Sequence, residues 1–259
     1  MSTRPSVSLV IPMFNEEENI EHAIASAVEA LDRHAGDFEI LVVDDASTDS
    51  SARIVTRLSD AEPRIRLLTH EVNQKLGATI RTGFAAARMD LVLYMDADLP
   101  FDPDAVGRAI SAMKVTRADL VAGYRLDRTA EGFKRTVYSY LYNSLIGLLF
   151  GWPHRDINFS FKLMRREVLE AVELRSEGSL IDAELIVKAK NLGFVIQQLG
   201  LDYFPRTRGR STLSSPTVIL KILRELVTLF PEMRHPRRKG RSNGASGASG
   251  PLVAGNHGA

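Results

Sequence analysis

The sequence predicts an α/β protein built on a doubly wound, mostly parallel sheet that is flanked by helices. Short apolar segments rich in Val, Ile and Leu alternate with helical segments through the first half of the chain. Such segments are typical of parallel strands that are buried on both faces. Two of them end in paired aspartates. Because ligands of this fold class bind at the carboxyl ends of the strands, these aspartates mark the edge where function is expected.

The first half of the chain contains five predicted strands and three predicted helices. The strands are predicted over residues 7–12, 38–43, 65–69, 91–95 and 119–123. The helices are predicted over residues 16–33, 74–88 and 104–114. Apolar residues in the first helix recur on one helical stripe, as in a helix that packs on a sheet. Pro103 suits the start of the third helix.

The second half has a different pattern, in which helices dominate. They are predicted over residues 133–150, 166–173, 182–192 and 216–230. Extended segments are predicted over residues 158–164 and 194–204. From His235 onward, a composition rich in Gly, Ser and Arg predicts a disordered tail. A chain of 259 residues fits one large α/β domain better than two.

Composition excludes several classes of function. The chain has no cysteine, which excludes a thiol nucleophile and a disulfide framework and is compatible with a reducing compartment. The net charge is +1, and outside the tail the basic residues form no stripe with interleaved aromatics, so no nucleic-acid partner is expected. The apolar stretch 145–152 is far shorter than the roughly 20 residues that cross a bilayer, and the N-terminus does not have the pattern of a signal peptide.

Paired carboxylates follow two of the predicted strands. Asp44 and Asp45 come after the second strand, and Asp96 and Asp98 after the fourth. Residues two apart in an extended segment point the same way, so Asp96 and Asp98 can converge on one ligand. Such a pair favours Mg²⁺ or Mn²⁺, which can in turn bind a diphosphate. The alternative is that these aspartates only terminate strands as turn residues.

The loop after the first strand separates this chain from other nucleotide-binding folds. It reads IPMFNEEEN, whereas a dinucleotide-binding enzyme requires GxGxxG at that turn. A nucleotidyltransferase would usually have a glycine-rich loop with Arg and Lys there. A receiver domain of roughly 120 residues is half as long, and its acidic pair would follow the first strand.

Six segments resemble, in order and spacing, the motifs of family 2 glycosyltransferases of the GT-A fold. They read SLVIPMFNEEENI, EILVVDDASTDSS, LGATIRTGF, LVLYMDADL, GYR and RTRGRS. More narrowly, the chain resembles dolichyl- and polyprenyl-phosphate mannose synthases and their glucosyl relatives. The resemblance implies one domain over residues 1–234, with a nucleotide-binding half 1–125, an acceptor half 126–234 and the tail 235–259.

By this resemblance, two groups of residues hold the donor. Base and ribose are implied to contact Pro12, Phe14, Glu16, Val43 and Asp45. The metal and diphosphate are implied to contact Asp96, Ala97 and Asp98, with Asp96 and Asp98 as the metal ligands. Phe14 replaces a common Tyr. Pro100 replaces a metal-ligating Gln, whose place is left to water or to Asp102.

Three arginines match phosphate-handling positions of the family. Arg125 and Arg135 resemble residues that grip the acceptor phosphate, and Arg206 resembles the residue that contacts the donor diphosphate. A guanidinium suits this role because its planar fork binds phosphate oxygens bidentately. The alternative is a solvated basic surface. After Arg206 the family usually reads GESK, and here the lysine is replaced by Thr212.

Asn143, Asp156 and Glu184 also match the family pattern. The catalytic set implied by the resemblance is Asp98, Arg125, Arg135, Arg206 and Glu184. For Glu184 the alternative is a charge at a helix N-terminus that the helix dipole stabilises.

The resemblance implies an inverting, metal-dependent hexosyltransferase that moves mannose from GDP-mannose onto a polyprenyl phosphate. A lipid phosphate is already anionic, so it needs no strong base. Two alternatives remain. One is a soluble glycosyltransferase that uses UDP-glucose or another donor with a hydroxyl acceptor, for which Asp182 or Glu184 would be the base. The other is an inactive GT-A scaffold. The oligomeric state is not indicated.

Membrane contact is expected at two apolar helices. Residues 136–152 mix Tyr, Leu, Phe and Trp, and residues 215–230 form a broad apolar stripe that precedes the basic cluster 234–241. Such segments suit an interfacial helix beside anionic headgroups, which predicts a peripheral protein at the cytoplasmic membrane face. The alternatives are core helices that cover the sheet and a solvated tail.

Overall fold

The structure of the protein is a computed structural model that describes residues 4–127, 133–151, 154–204 and 216–239, without the side chains of residues 133–135 and 216–219. The strands are β1 Ser6–Met13, β2 Asp37–Asp44, β3 Ile65–Thr69, β4 Leu91–Tyr94, β5 Leu120–Arg125, β6 Lys162–Arg165 and β7 Ile196–Leu201. The helices are α1 Ile20–His34, α2 Ser51–Ala61, α3 Lys75–Ala86, α4 Ala105–Thr116, α5 Phe133–Phe150, α6 Arg166–Ala171, α7 Ile181–Asn191 and α8 Pro216–Arg234.

The strands form one seven-stranded sheet in the order β3-β2-β1-β4-β6-β5-β7. β1 pairs in parallel with both β2 and β4, and β2 pairs in parallel with β3. β6 runs antiparallel to β4 and β5, while β5 and β7 are parallel. The mostly parallel, doubly wound sheet predicted from the sequence is therefore confirmed.

The sheet is buried on both faces, as its apolar strands require. Along β1, Leu9 and Ile11 pack into the cluster that contains α1 and α4, whereas Val10 packs into the cluster with α3 and α7. This alternation follows from the two-residue period of a strand. It explains why the strand sequence is apolar almost throughout.

Most predicted elements coincide with observed ones to within a few residues, and the differences have local causes. The extended segment predicted over 158–164 shortens to β6 because residues before Lys162 form a loop. Helix α2 is absent from the predicted elements, and only Ser51 and Val55 of that helix are buried. Helix α8 continues through Pro231 to Arg234, beyond the predicted end at residue 230.

Helix α3 lies against β1 and β2 at a glycine contact. A Cβ atom at Gly83 would lie 2.3 Å from Cγ1 of Val10 and 3.2 Å from Cγ2 of Val43. Both neighbours are stiff β-branched side chains in buried strands. Glycine is therefore required here in spite of its low helix propensity.

We expect Gly83→Ala to lower the free energy of unfolding by about 1–3 kcal/mol, because overpacking outweighs the gain of about 1 kcal/mol in helix propensity. The matched control is Gly178→Ala, since a Cβ atom there would lie 3.6 Å from its nearest neighbour. Urea unfolding measures both. Equal stability of the two variants would contradict this account of the contact.

Candidate active site

A cleft of about 730 Å³ opens at the carboxyl edge of the sheet, where the loops after β1, β2 and β4 meet. It includes most residues that the sequence predicted for the donor. The predicted residues that line it are Pro12, Phe14, Glu16, Asp45, Asp96, Ala97, Asp98 and Arg125. The strand order explains this convergence, because β1 lies between β2 and β4 and all three run in the same direction.

Asp45 organises one wall of the cleft. It is buried, and its Oδ1 lies 2.8 Å from Nδ1 of His70. The same carboxylate accepts hydrogen bonds from the backbone N–H groups of Gln74, at 2.8 Å, and Lys75, at 2.9 Å. The second ring nitrogen of His70 lies 2.9 Å from the hydroxyl of Thr82 in α3. Asp45 thus fixes the loop that leads into α3.

The loops after β1 and β2 are bonded to each other. The N–H of Asn15 donates to Oγ of Ser47 at 3.0 Å, and the N–H of Thr48 donates to Oδ1 of Asn15 at 2.8 Å. The N–H of Glu16 donates to Oγ of Ser51 at 2.8 Å. Main-chain N–H groups therefore take part in every one of these contacts, which fixes the path of both loops along this wall.

Backbone strain concentrates around the cleft. Five non-glycine residues among those described have positive φ, and four of them lie at the border of the cleft, three in loops and one at the first residue of α3. These four are Asn15 (φ 55°), Ala46 (φ 62°), Lys75 (φ 70°) and Leu99 (φ 49°). Residues held in this region cost about 1–3 kcal/mol each and cluster at functional sites. The loops are therefore held in strained shapes by their surroundings.

Asp96 and Asp98 follow β4 at the floor of the cleft. The Tyr94 hydroxyl donates to Oδ1 of Asp96 at 3.0 Å, and Ser160 also hydrogen-bonds to Asp96. Burial, followed by the negative charges of Asp98 and Asp182, raises the pKa of Asp96 to about 6. Like charges in a desolvated site disfavour ionisation of a carboxyl group, so this floor favours a bound cation.

A buried lysine lies beneath these carboxylates. Nζ of Lys162 lies 2.5 Å from Oδ1 of Asp182 and donates to the backbone oxygen of Phe159 at 2.6 Å. It also lies 5.5 Å from the centre of the Tyr94 ring. Lys162 and Asp182 are both buried, so the lysine places a paired positive charge behind the floor of the cleft.

The residues present fit a divalent cation of the Mg²⁺ type. Asp96 and Asp98 are two of the carboxylates that line the cleft, and in the described part of the chain no group of three or more His, Asp or Glu side chains is arranged to hold a metal. Mg²⁺ is usually bound by one or two carboxylates, with water and substrate phosphates as the other ligands. Pro100 lines the cleft without a side-chain ligand. Asp102 lies outside this cleft and accepts the N–H of Asp104 at 2.9 Å.

Arg125 lines the cleft from the end of β5. Its Nη1 lies 3.0 Å from Oδ2 of Asp156, and both side chains are buried. The guanidinium also lies 5.0 Å from the centre of the Phe159 ring and 4.8 Å from that of Tyr203. An ion pair and two aromatic rings therefore hold this cation in place.

Two predicted site residues are not brought to the cleft. Val43 is buried in β2 and packs toward α3. Glu184 is fully buried, pairs with Lys188 at 2.6 Å and accepts the backbone N–H groups of Arg175 and Ser176. Its position in the first turn of α7 directs it to the preceding loop, which it holds in place. Arg135 lies in the first turn of α5, but its side chain is outside the described part.

Several residues around the cleft were not assigned to it by the sequence. Asn158, Ser160 and Tyr203 line the cleft. The first two are spaced two apart, like Asp96 and Asp98, and that spacing is the signal that could have indicated them. Of the remaining predicted residues, Asn143 holds the loop before β6, because its Oδ1 accepts the N–H of Ile157 at 3.0 Å. Arg206 and Thr212 lie outside the described residues.

The sequence profile described as "Glycosyl transferase family 2" matches residues 8–173. The chain belongs to this family. Three curated proteins are similar to this chain in sequence. Glycosyltransferase AglD of Haloferax volcanii is 31% identical over 207 residues, covering 77% of this chain and 33% of the relative. Dodecaprenyl-phosphate galacturonate synthase of Rhizobium johnstonii is 28% identical, covering 93% and 71%. Dolichol-phosphate mannosyltransferase of Pyrococcus furiosus is 30% identical, covering 86% and 63%.

This family 2 chain thus spans about a third of the length of AglD and somewhat less than two thirds of the Pyrococcus relative. Among solved structures, glucosyl-3-phosphoglycerate synthase of Mycobacterium tuberculosis superposes with a TM-score of 0.67 at 21% identity, covering 85% of this chain and 79% of that one. That structure holds Mn²⁺, uridine diphosphate and glucosyl-3-phosphoglycerate. At this identity the likeness concerns the fold, and it confirms the GT-A-type architecture.

We expect the affinity of the cleft for Mn²⁺ to fall in acid. A cation binds the ionised carboxylate, so protonation of Asp96, with its pKa of about 6, competes with binding. One such proton makes the apparent affinity about tenfold weaker at pH 5 than at pH 7. Titration of Mn²⁺ by electron paramagnetic resonance at the two pH values measures this, with circular dichroism to verify the fold. Equal affinity at both values would contradict it.

Proposed function

We propose that this protein is an inverting glycosyltransferase that moves a sugar from a nucleotide-diphosphate donor onto a polyprenyl phosphate. The observation that supports it most is one cleft that contains the Asp45 wall, the Asp96 and Asp98 floor and Arg125. These provide, in order, a nucleoside site, a metal-diphosphate site and a cation for a second phosphate. Family membership and the two relatives named as polyprenyl- or dolichol-phosphate enzymes support the same function.

The nucleotide-sugar donor is assigned to the wall at Asp45 and the floor at Asp96 and Asp98. Phe14 is half-exposed at the cleft and offers a ring face on which a base can stack. Asp45 keeps the adjoining loop in place, and Glu16 lines the same cleft. GDP-mannose is the first donor we propose, from the resemblance, and UDP-glucose is the second. The structural neighbour that holds uridine diphosphate is the reason to test the second donor.

Departure of the nucleoside diphosphate is the step that most needs charge stabilisation. Mg²⁺ or Mn²⁺, held by Asp96 and Asp98, would supply Lewis-acid stabilisation of the diphosphate charge. Tyr94 and Ser160 orient Asp96 through their hydroxyls. Arg206, proposed from the resemblance, would add a guanidinium to the same diphosphate.

The acceptor side favours a phosphate over a hydroxyl. Arg125 and, by resemblance, Arg135 would position a lipid phosphate for direct attack at the anomeric carbon, which inverts its configuration. A hydroxyl acceptor would need a general base. Asp182 is paired with Lys162 and Glu184 with Lys188, and neither lines the cleft. The positions of these two carboxylates therefore support the anionic acceptor, which needs no strong base.

Peripheral contact with a membrane fits this acceptor. Along α5, Tyr138, Tyr140 and Leu141 are exposed, and along α8 Leu220, Leu223 and Val227 are exposed. Within the described ranges, no helix combines the length and apolar character that crossing a bilayer requires. The exposed aromatic and aliphatic side chains suit a helix that lies at the lipid interface, next to the basic residues that begin at Arg234.

A donor screen by calorimetry tests the proposal. GDP-mannose and UDP-glucose are each titrated into the protein with Mn²⁺ and with EDTA. Metal-dependent binding of one donor is expected. If neither donor binds in either condition, the proposal is wrong and an inactive scaffold becomes the better interpretation.

We expect Asp98→Ala to abolish sugar transfer while the protein stays folded, because Asp98 lies at a strand end in the cleft and not in the apolar core. The loss should exceed about a hundredfold, as for removal of a group that stabilises developing charge. A radiolabelled-donor assay measures transfer. The control is Asp60→Ala on the exposed side of α2, which should retain wild-type activity. Wild-type turnover in the Asp98 variant would remove the metal assignment.

We expect Arg135→Ala to raise KM for a polyprenyl phosphate about tenfold or more, because a charge-assisted hydrogen bond to phosphate is lost. Donor affinity should stay unchanged. Steady-state kinetics with varied acceptor, together with donor calorimetry, separates the two effects. Arg53→Ala on α2 is the matched control, since Arg53 is exposed and does not line the cleft. Equal losses for donor and acceptor would refute the acceptor role.

A further inference from the structure

Asn158 is a polar residue of the cleft to which the proposed function assigns no role. Asn158 lies in the loop before β6 and lines the cleft together with Ser160 and Asp96. Its Oδ1 is enclosed and accepts no hydrogen bond from any residue within the described ranges. An enclosed amide oxygen without a partner costs about 1–3 kcal/mol. A buried polar atom of this kind calls for a specific explanation, of which a ligand is one.

The loop that presents Asn158 is held from both sides. Asp156 is bonded to Arg125, and the N–H of Ile157 donates to Asn143 at 3.0 Å. On the other side, Phe159 is buried with its ring centre 5.4 Å from that of Phe101. Rearrangement of residue 158 to find another partner would disturb these contacts. The loop is therefore held in place with Asn158 at the cleft.

The cations near Asn158 already have partners. Arg125 is paired with Asp156, and Lys162 with Asp182. Asp96 and Asp98 contribute negative charge to the same end of the cleft. A carboxylate on the transferred sugar would compete with these partners and with the diphosphate for the same cations, whereas a hydroxyl could donate to the amide oxygen of Asn158.

We propose that Asn158 is a specificity-determining residue that accepts a hydrogen bond from a hydroxyl of the transferred sugar, and that the cleft selects a neutral hexose over a uronic acid. This inference rests on the proposed function. The relatives differ in whether the sugar in their names is neutral or a uronic acid, because one is named a mannosyltransferase and another a galacturonate synthase. Asn158 stands between Asp156, which is bonded to Arg125, and Ser160, which is bonded to Asp96. It therefore lies between the sites proposed for the acceptor phosphate and the diphosphate, where the transferred sugar must lie.

The test compares donors that share a nucleoside and differ only at the sugar. UDP-glucose is paired with UDP-glucuronate, and GDP-mannose with GDP-mannuronate. Each pair, together with the bare nucleoside diphosphate, is titrated calorimetrically in Mn²⁺ into the full chain. The variants are Asn158→Ala, Asn158→Asp and, as a matched control at an exposed position outside the cleft, Asn191→Ala.

In the wild-type protein the neutral donor should bind more tightly than its uronate partner. Asn158→Ala should weaken the neutral donor about tenfold, because one buried hydrogen bond is lost. The nucleoside diphosphate should bind unchanged, since it has no sugar. Asn158→Asp keeps an acceptor oxygen and adds a negative charge, so it should retain the neutral donor and weaken the uronate further. Asn191→Ala should behave as the wild type.

Failure of the inference and failure of the proposed function give different results. If the nucleoside diphosphate binds but Asn158→Ala leaves the neutral donor unaffected, the inference alone is overturned. The same holds if the uronate donor binds the wild type more tightly than the neutral one. If no nucleoside diphosphate or nucleotide sugar binds, the proposed function fails and this inference fails with it.

Discussion

The parallel pairing of β1 with both β2 and β4 is the constraint on which the rest of the structure depends. Because β1 runs between them in one direction, Met13 lies beside Asp44 and Val10 beside Tyr94. The loops that follow these strands must therefore open at one edge of the sheet. Helices on both faces bury the strands, which leaves that edge as the place where polar groups can gather.

The carboxylates that gather at this edge repel one another electrostatically. Asp96 stands among Asp98 and Asp182 in a desolvated floor, and its pKa is raised as a result. Lys162 offsets part of the negative charge from below, since it bonds Asp182 and faces the ring of Tyr94. Loss of one partner of such a buried pair typically costs about 3–5 kcal/mol, so the acidic floor and the buried lysine depend on each other.

Helices α3 and α8 are connected through the loop before α7 by main-chain contacts as well as charges. The N–H of Gly77 in α3 donates to the backbone oxygen of Glu177 at 2.8 Å, and there is no room for a Cβ atom beside it. Glu225 of α8 accepts the Ser176 hydroxyl at 2.9 Å in the same loop. The cleft wall that Asp45 holds in place is therefore connected to α8 through the short loop at residues 176–177. Helix α8 is one of the two helices with exposed apolar side chains.

The strand-helix alternation and the mostly parallel sheet follow from local periodicity in the sequence, and the family follows from the resemblance of six motifs. Asp45, Asp96 and Asp98 could be selected from the sequence because the carboxyl ends of parallel strands lie at one edge of a sheet. The tertiary structure was needed to show that Glu184 holds a neighbouring loop, that Val43 packs in the core and that Asn158 lines the cleft. Those outcomes depend on contacts between residues that are distant in sequence, such as Arg125 with Asp156 and Lys162 with Asp182, and periodicity contains no information about them.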